Sequence, residues 1–566
     1  MATAQGGRTS SEANGSTHHE KYLDCAVLGI ATLLPVLPFI RRLSLYADDW
    51  GLTAGFVASG DRTVAECFRH YYSLQVTHSR PIMDLYQVVL YRLFGINPLG
   101  YHITNATVFL GSAWLLYLSL RFVVRQRFLA LAIPLVFVLL PNYSTARFVP
   151  FAFMVGLSLL FFSLNFYAML RATQKAVLGW GWATLSVAAL IVGGLAYEVA
   201  LPLPVASFLI VWWVYRKKPV AERLRFSSLA LLLVSNAIAL LSLFAFKALT
   251  TTRYHGARTT SSVLREAFSA IPDVVRGALH VHFYELGLRL PIAALKAIVR
   301  YWNPLLFVLA VLLGVFVFWY LRHIQFDREA CNWGSVEALA LAGAGIVVFA
   351  LGNAIFLVST GEVAFVTTGV ENRIAIAASL GMATIFVAMA MSMSLLAGRH
   401  KKLALSLLVA LLCSSAFLAT GCIGEFWAEA GDQQRVILNS LRRDIPILPK
   451  NTTLLVDGAC PYIGPGIVFQ STFDMGGALQ LLYGDPTLLG NVVRSTLEIR
   501  KDGIQARYFR MFQLYPYGPQ LKVYNLRTKK VLDLPDLATA KKYFGNMGPV
   551  RTTCPPGFEG NGVWIF

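Results

Sequence analysis

Charge is what this sequence is short of. Only 14% of its 566 residues are Asp, Glu, Lys or Arg, while 56% are hydrophobic. A soluble domain carries about a quarter charged residues and under half apolar ones. The shortage excludes a disordered chain, a coiled coil and an ordinary cytosolic enzyme. Cysteine is also scarce: seven residues, scattered, with no CxxC pair, which leaves a zinc or thioredoxin-type site without support. No internal repeat and no glycine-rich phosphate loop occur. Acidic residues number 30 against 49 basic ones, a formal charge of +19. In so apolar a chain that excess belongs in cytoplasmic loops and against anionic headgroups, not on nucleic acid.

What is present is length of apolar run, and mean hydropathy is +0.58. Runs begin near residues 22, 101, 128, 148, 176, 199, 226, 304, 338, 374 and 403. A helix crossing hydrocarbon needs about 20 apolar residues, so about eleven transmembrane helices are expected. The run at 128–140 is short and contains Pro134, which makes it the weakest. The first run, Tyr22 to Ile40, has no small-residue cleavage site after it and reads as a retained helix. Residues 1–21 read as a disordered cytoplasmic tail.

Orientation follows from the loops. With the N-terminus inside, the inside loops at 121–127, 171–175, 215–225, 321–328 and 398–402 hold fifteen Lys and Arg, while the short outside connections at 142–147, 196–198 and 359–372 hold only Arg147. The positive-inside rule asks for this contrast. Residues 22–421 then form the membrane domain, with long outer loops at 43–100 and 250–303. Segments 61–75 and 81–95 mix polar and apolar residues at helical spacing and predict short interfacial helices. Residues 422–566 lose the hydropathy of the rest. A helix near 426–443, a strand at 452–458 and broken strands over 507–534 predict a small extracytoplasmic α/β domain. Cys460 and Cys554 both fall in it and can pair in an oxidising compartment.

Five polar features fall on the outer face. Asp48-Asp49-Trp50 follows the first run directly, and an adjacent carboxylate pair suits a general base or oxygen ligation of a divalent cation; a helix start capped by Asp is the structural reading. His78 and Arg80 suit a phosphate, and His102 and Asn105 share one helix face. Glu198 follows Tyr197 between two apolar runs. Glu362, Glu371, Asn372 and Arg373 precede the tenth run, where a helix-start arginine suits a lipid phosphate through paired donors or a salt bridge with Glu371. The stretch Arg253 to Arg258 is basic at headgroup level.

The run from Arg80-Pro81-Ile82 to Asn97-Pro98-Leu99-Gly100-Tyr101-His102-Ile103-Thr104-Asn105 resembles the R-P … P-x-G-Y-H-x-x-N signature of polytopic glycosyltransferases of the GT-C fold. It is most similar to the protein O-mannosyltransferases and their bacterial relatives that use lipid-linked sugars. The likeness covers about residues 40–125 at motif level. The helical repeats that some of those proteins carry at the C-terminus are replaced here by the mixed domain. The resemblance implies a polyprenyl-phosphate sugar donor and inverting transfer to a hydroxyl of a cell-envelope glycan, lipid or protein. Asp49 or Asp48 would be the base. Arg373, with Arg80 or Arg258 as alternatives, would bind the donor phosphate. His78, His102, Asn105, Glu198 and Glu371 would bind sugar or acceptor, or orient the others. No cofactor is required, and a divalent cation on Asp48 and Asp49 stays open. Compact loops and the family's distribution favour a bacterial inner membrane, with the site periplasmic, over an endoplasmic reticulum. A lipid-linked glycan transporter or flippase and a non-catalytic membrane subunit are the competing classes. The first would place polar residues deep in broken helices, whereas here they gather at the outer ends.

Overall fold

A computed structural model describes residues 10–60, 63–73, 78–124, 126–150, 154–255, 260–324, 333–357, 365–508, 511–550, 554 and 565–566. The chain starts with α1 (Ser10–Leu33), so residues 10–21 are helical where a disordered tail was expected. The first outer loop folds into α2 (Asp48–Ala58), α3 (Val64–Ser73) and α4 (Pro81–Phe94). The last two are the predicted short helices. Then follow α5 (Pro98–Val123), α6 (Arg127–Leu139), α7 (Ser144–Phe148), α8 (Val155–Ala172), α9 (Trp180–Ala196), α10 (Pro204–Lys217) and α11 (Phe226–His255). The second outer loop is also helical: α12 (Thr260–Gly277), a π-helical segment Ala278–Leu288 and α13 (Leu290–Arg300). The membrane part closes with α14 (Pro304–His323), α15 (Ser335–Ala354), α16 (Ile376–Leu395) and α17 (Lys401–Asp444). Local chemistry sets two of these starts alike. Asn97 and Asn303 accept backbone N–H groups of Leu99 and Leu306, each with proline as the first helical residue.

The chain is an integral membrane protein, but the count of eleven spans needs correction. Each of the eleven runs has its helix. Among the described residues seven are long and apolar enough to cross a membrane, and α6 with the turn after it, bent by 49°, makes an eighth. The helices α1, α9 and α10 fall short of that test. The run judged weakest is the centre of the bundle: every residue of α6 except Arg127 is buried. At the bend that ends α6, Arg147, itself buried, donates to Val138 O and Leu140 O. Arg147 is therefore an internal strut and not a surface charge. The other central helix is α16, with 89% of its apolar window buried, whereas α14 buries 28%.

The basic loops meet at one end. Lys218 Nζ donates to Thr173 O, and Lys401 Nζ to Trp333 O. At the other end α17 runs unbroken across the expected boundary at 421/422 and out to Asp444, because its sequence holds no proline there. The mixed domain begins after it, with β1 (Thr453–Asp457), the hairpin β2 (Tyr462–Ile463) and β3 (Gly466–Ile467), α18 (Thr472–Tyr483) and β4 (Leu489–Val492). It continues through β5 (Leu497–Ile499), β6 (Gly503–Tyr508), β7 (Met511–Pro516), β8 (Gly518–Asn525), β9 (Lys530–Leu534), α19 (Leu537–Phe544) and β10 (Gly548–Pro549). One sheet has the order β4-β1-β8-β9, parallel across its first three strands; a second, antiparallel one has the order β10-β5-β6-β7. Cys460 and Cys554 are joined in a disulfide, with Cα atoms 5.5 Å apart.

Candidate active site

The carboxylate pair occupies the first two positions of α2. Just before it Ala47 has φ 48°, a left-handed conformation that costs a non-glycine residue energy and persists only where the surroundings impose it. The two carboxylates differ. Asp49 is fully buried, and its Oδ2 accepts the Tyr46 N–H at 3.2 Å. Asp48 is half-buried and lies within the field of Arg373. Neighbours on a helix point about 100° apart, so the pair fits poorly as joint ligands of one cation. Among the described residues no group of three or more His, Cys, Asp or Glu side chains is arranged to hold a metal.

Arg373 lies in a 3-10 turn (Val370–Ala375) that leads into α16. Its guanidinium donates to Val370 O, pairs with Glu371 at 3.4 Å and reaches the Tyr197 side chain. Tyr197 links it to a second group. The Arg80 guanidinium sits 4.0 Å from the Tyr197 ring centroid and is also paired with Glu198, its Nε donating to Oε2 at 3.0 Å. Lys247 donates to the same Oε2 at 3.2 Å. Burial alone would raise the Glu198 carboxyl, but Arg80 and Lys247 outweigh it and hold the group well below the ordinary carboxylate range. Arg80 and Glu198 keep about a quarter of their side-chain surface open, so that pair is reachable, while Lys247 and Arg373 are buried. Asp84, one turn into α4 from Arg80, is buried and adds to the field at Arg80.

The structure thus gathers Asp48, Arg373, Glu371, Tyr197, Arg80 and Glu198 from four separate stretches of sequence. It does not bring the remaining candidates into that cluster. His102 is buried, with Nε2 3.0 Å from Ser44 O, so it holds the strap before α2. Asn105 donates to Ala146 O and Arg147 O and ties α5 to α7. His78 lies 5.0 Å from the Tyr72 ring. Arg258 and Glu362 lie outside the described residues. Lys247 was overlooked, although a single lysine in a 25-residue apolar span is a signal in itself. Asp84 gave no such signal, since it sits in an amphipathic helix where a carboxylate is ordinary.

No protein-family model matches the chain, and no curated protein matches it. Among the solved structures that resemble it over most of its length are two of one protein. One is the crystal structure of ArnT from Cupriavidus metallidurans bound to undecaprenyl phosphate, 15% identical, which covers 82% of this chain and 84% of its own with a TM-score of 0.36. The other is the same protein in the apo state, 15% identical, covering 83% and 85% with a TM-score of 0.35. A superposition this loose carries no residue role across, and the chemistry must come from this chain's own side chains.

Proposed function

We propose that the chain is an integral-membrane glycosyltransferase that moves a sugar from a polyprenyl phosphate to a hydroxyl acceptor, with inversion, on the outer face. The observation that carries this reading is that a half-buried carboxylate, Asp48, lies within the field of a cation, Arg373, at one end of an apolar bundle. Such a pair supplies the two things the transfer needs: a proton acceptor and a stabiliser of the departing phosphate. A donor tethered in lipid suits the place, because nucleotide sugars are absent outside the cytoplasm. The Cys460–Cys554 bond supports an oxidising compartment for the mixed domain.

Asp48 takes the proton of the acceptor hydroxyl as its oxygen attacks the anomeric carbon from the face opposite the phosphate. The new C–O bond forms as the bond to the phosphate oxygen breaks, and the lipid phosphate leaves with the electron pair. Arg373 stabilises the charge that develops on it. Arg80 is the lesser candidate, since Glu198 already takes its paired donors. Asp49, buried against the Tyr46 N–H, orients the turn. The roles given to the two aspartates thus follow from their exposure.

The test uses the full chain in nanodiscs with a radiolabelled polyprenyl-phosphate sugar and a membrane extract as acceptor. Transfer of label to the extract with release of free polyprenyl phosphate is expected. Label that stays on lipid overturns the reading, and label that only crosses the bilayer indicates a transporter.

A further inference from the structure

The segment that carries the carboxylate pair is gripped on two sides by the part of the chain outside the membrane. On one side is the outer half of α17. Tyr46, fully buried, donates its hydroxyl to Trp427 O at 2.6 Å and accepts the Ser44 N–H at 3.1 Å, and its ring meets that of Trp427 edge-on at 4.8 Å. Arg42 pairs with Asp432 at 2.7 Å, and Arg435 donates to Arg42 O. Gly431 admits this strap, since a Cβ there would lie 2.5 Å from Arg42 O.

On the other side is α18. A Cβ at Gly477 would lie 2.6 Å from the backbone C and O of Trp50 and 2.7 Å from Gly51 N. A Cβ at Gly51 would meet the Phe473 ring at 2.6 Å. The two helices therefore touch backbone to backbone within two residues of Asp49. The start of α18 is itself fixed: Asp474, fully buried, accepts the N–H groups of Gln470, Ser471 and Met475.

We infer that Gly477 and Tyr46 are positioning residues, through which the mixed domain and the outer half of α17 set the reach of Asp48 toward the acceptor hydroxyl. This rests on the glycosyltransferase reading above. It makes the mixed domain part of the catalytic apparatus and not an appended module. A methyl at Gly477 has to move α2 by about 1 Å, and a misplacement of about that size can cost about 10²-fold in rate.

The control lies next door on the same helix. A Cβ at Gly476 would come no nearer than 3.4 Å to Gly490 N, ordinary contact on the face away from α2. Gly477→Ala, Gly476→Ala and Tyr46→Phe are compared in the full chain in nanodiscs. Three readouts are taken: kcat, KM for the lipid-linked donor, and hydrogen exchange over residues 44–58. The expected result for Gly477→Ala is a fall in kcat of about 10- to 100-fold, an unchanged donor KM and faster exchange over 44–58. Gly476→Ala stays at wild type in all three. Tyr46→Phe keeps the ring and loses two hydrogen bonds, so it should move kcat and exchange in the same direction by less. The inference is overturned if Gly477→Ala leaves both kcat and exchange at wild type, or if the two glycine variants fall together. If Gly477→Ala does not fold, Tyr46→Phe decides alone by the same readouts. A wild type that transfers no sugar would sink the functional reading instead, while the exchange experiment would still report on the grip.

Discussion

Two charged clusters sit at opposite ends of this bundle, built from the same kinds of side chain, and they do opposite things. At the end where the basic loops meet, Asp24 has no exposed surface. Arg127 contacts both of its oxygens, Tyr117 and Tyr320 donate to it, and Glu20 takes the remaining side of Arg127. Its hydrogen-bonding capacity is used within the protein, and it locks α1, α5, α6 and α14 together. At the other end Arg80 and Glu198 are paired but keep about a quarter of their side-chain surface open, Lys247 and Arg373 are paired and buried, and Asp48, half-buried, lies within the field of Arg373. The difference is accessible surface at the central carboxylate, not composition: Asp24 has none and Glu198 keeps about a quarter, so only the second can be reached by a ligand.

The comparison breaks most visibly through activity. Asp48→Asn should lower transfer by about 10²–10⁴-fold, the usual cost of losing a general base, with expression intact. Arg373→Ala should follow at about 10²–10³-fold, and Arg373→Lys should recover part of it, since lysine keeps the charge and loses the paired donors. Asp49→Asn should show a milder rate defect than Asp48→Asn together with a lower melting temperature. The reverse order of the two aspartates would exchange their roles. Wild-type rates in both variants and in the double variant would reduce the pair to a helix start.

The inner cluster should answer in the other currency. Asp24→Ala removes the fully buried carboxylate and leaves the partly buried Arg127 paired with Glu20, a change that costs no more than breaking a fully buried pair, about 3–5 kcal/mol. Thermal unfolding and membrane yield should fall, while turnover per folded molecule stays within about twofold of wild type, a margin well below the loss of a single catalytic group. A selective loss of turnover would mean that the inner cluster also takes part in chemistry.

A smaller effect concerns acid. Because the Glu198 carboxyl is depressed, its ionised form contributes stability that is complete above its ordinary pKa of 4.5 and is lost progressively as pH falls from there toward the depressed value. Melting temperature measured from pH 7 to pH 3 should therefore decline in the acid part of the range in the wild type. Glu198→Gln should start lower at pH 7 and decline less. Parallel curves would show that the carboxyl is not held by Arg80 and Lys247. The smallest effect is a mass shift. The seven cysteines less the two in the disulfide leave five to alkylate in denatured, unreduced protein; seven would place the mixed domain in a reducing compartment.

Much of this protein could be read from its order of residues. Apolar runs of membrane length and the two amphipathic stretches after the first run are local sums, and each located a helix. Asn-Pro at 97–98 and 303–304 marks two helix starts for the same reason, because the cap and the first helical residue are neighbours in the chain. Hydropathy could not say which helix is central. Lipid tails and a protein interior are equally apolar, so α6 looked weakest and lies deepest. The charged site was legible only as scattered candidates on one face. Lys247 and Glu198 are 49 residues apart and Arg80 and Glu198 are 118 apart, and no local pattern records such a pairing. The two aspartates are chemically identical in sequence. Only the packing of the strap, α17 and α18 around them buries one and leaves the other within reach of Arg373, because burial belongs to the surroundings and not to the residue.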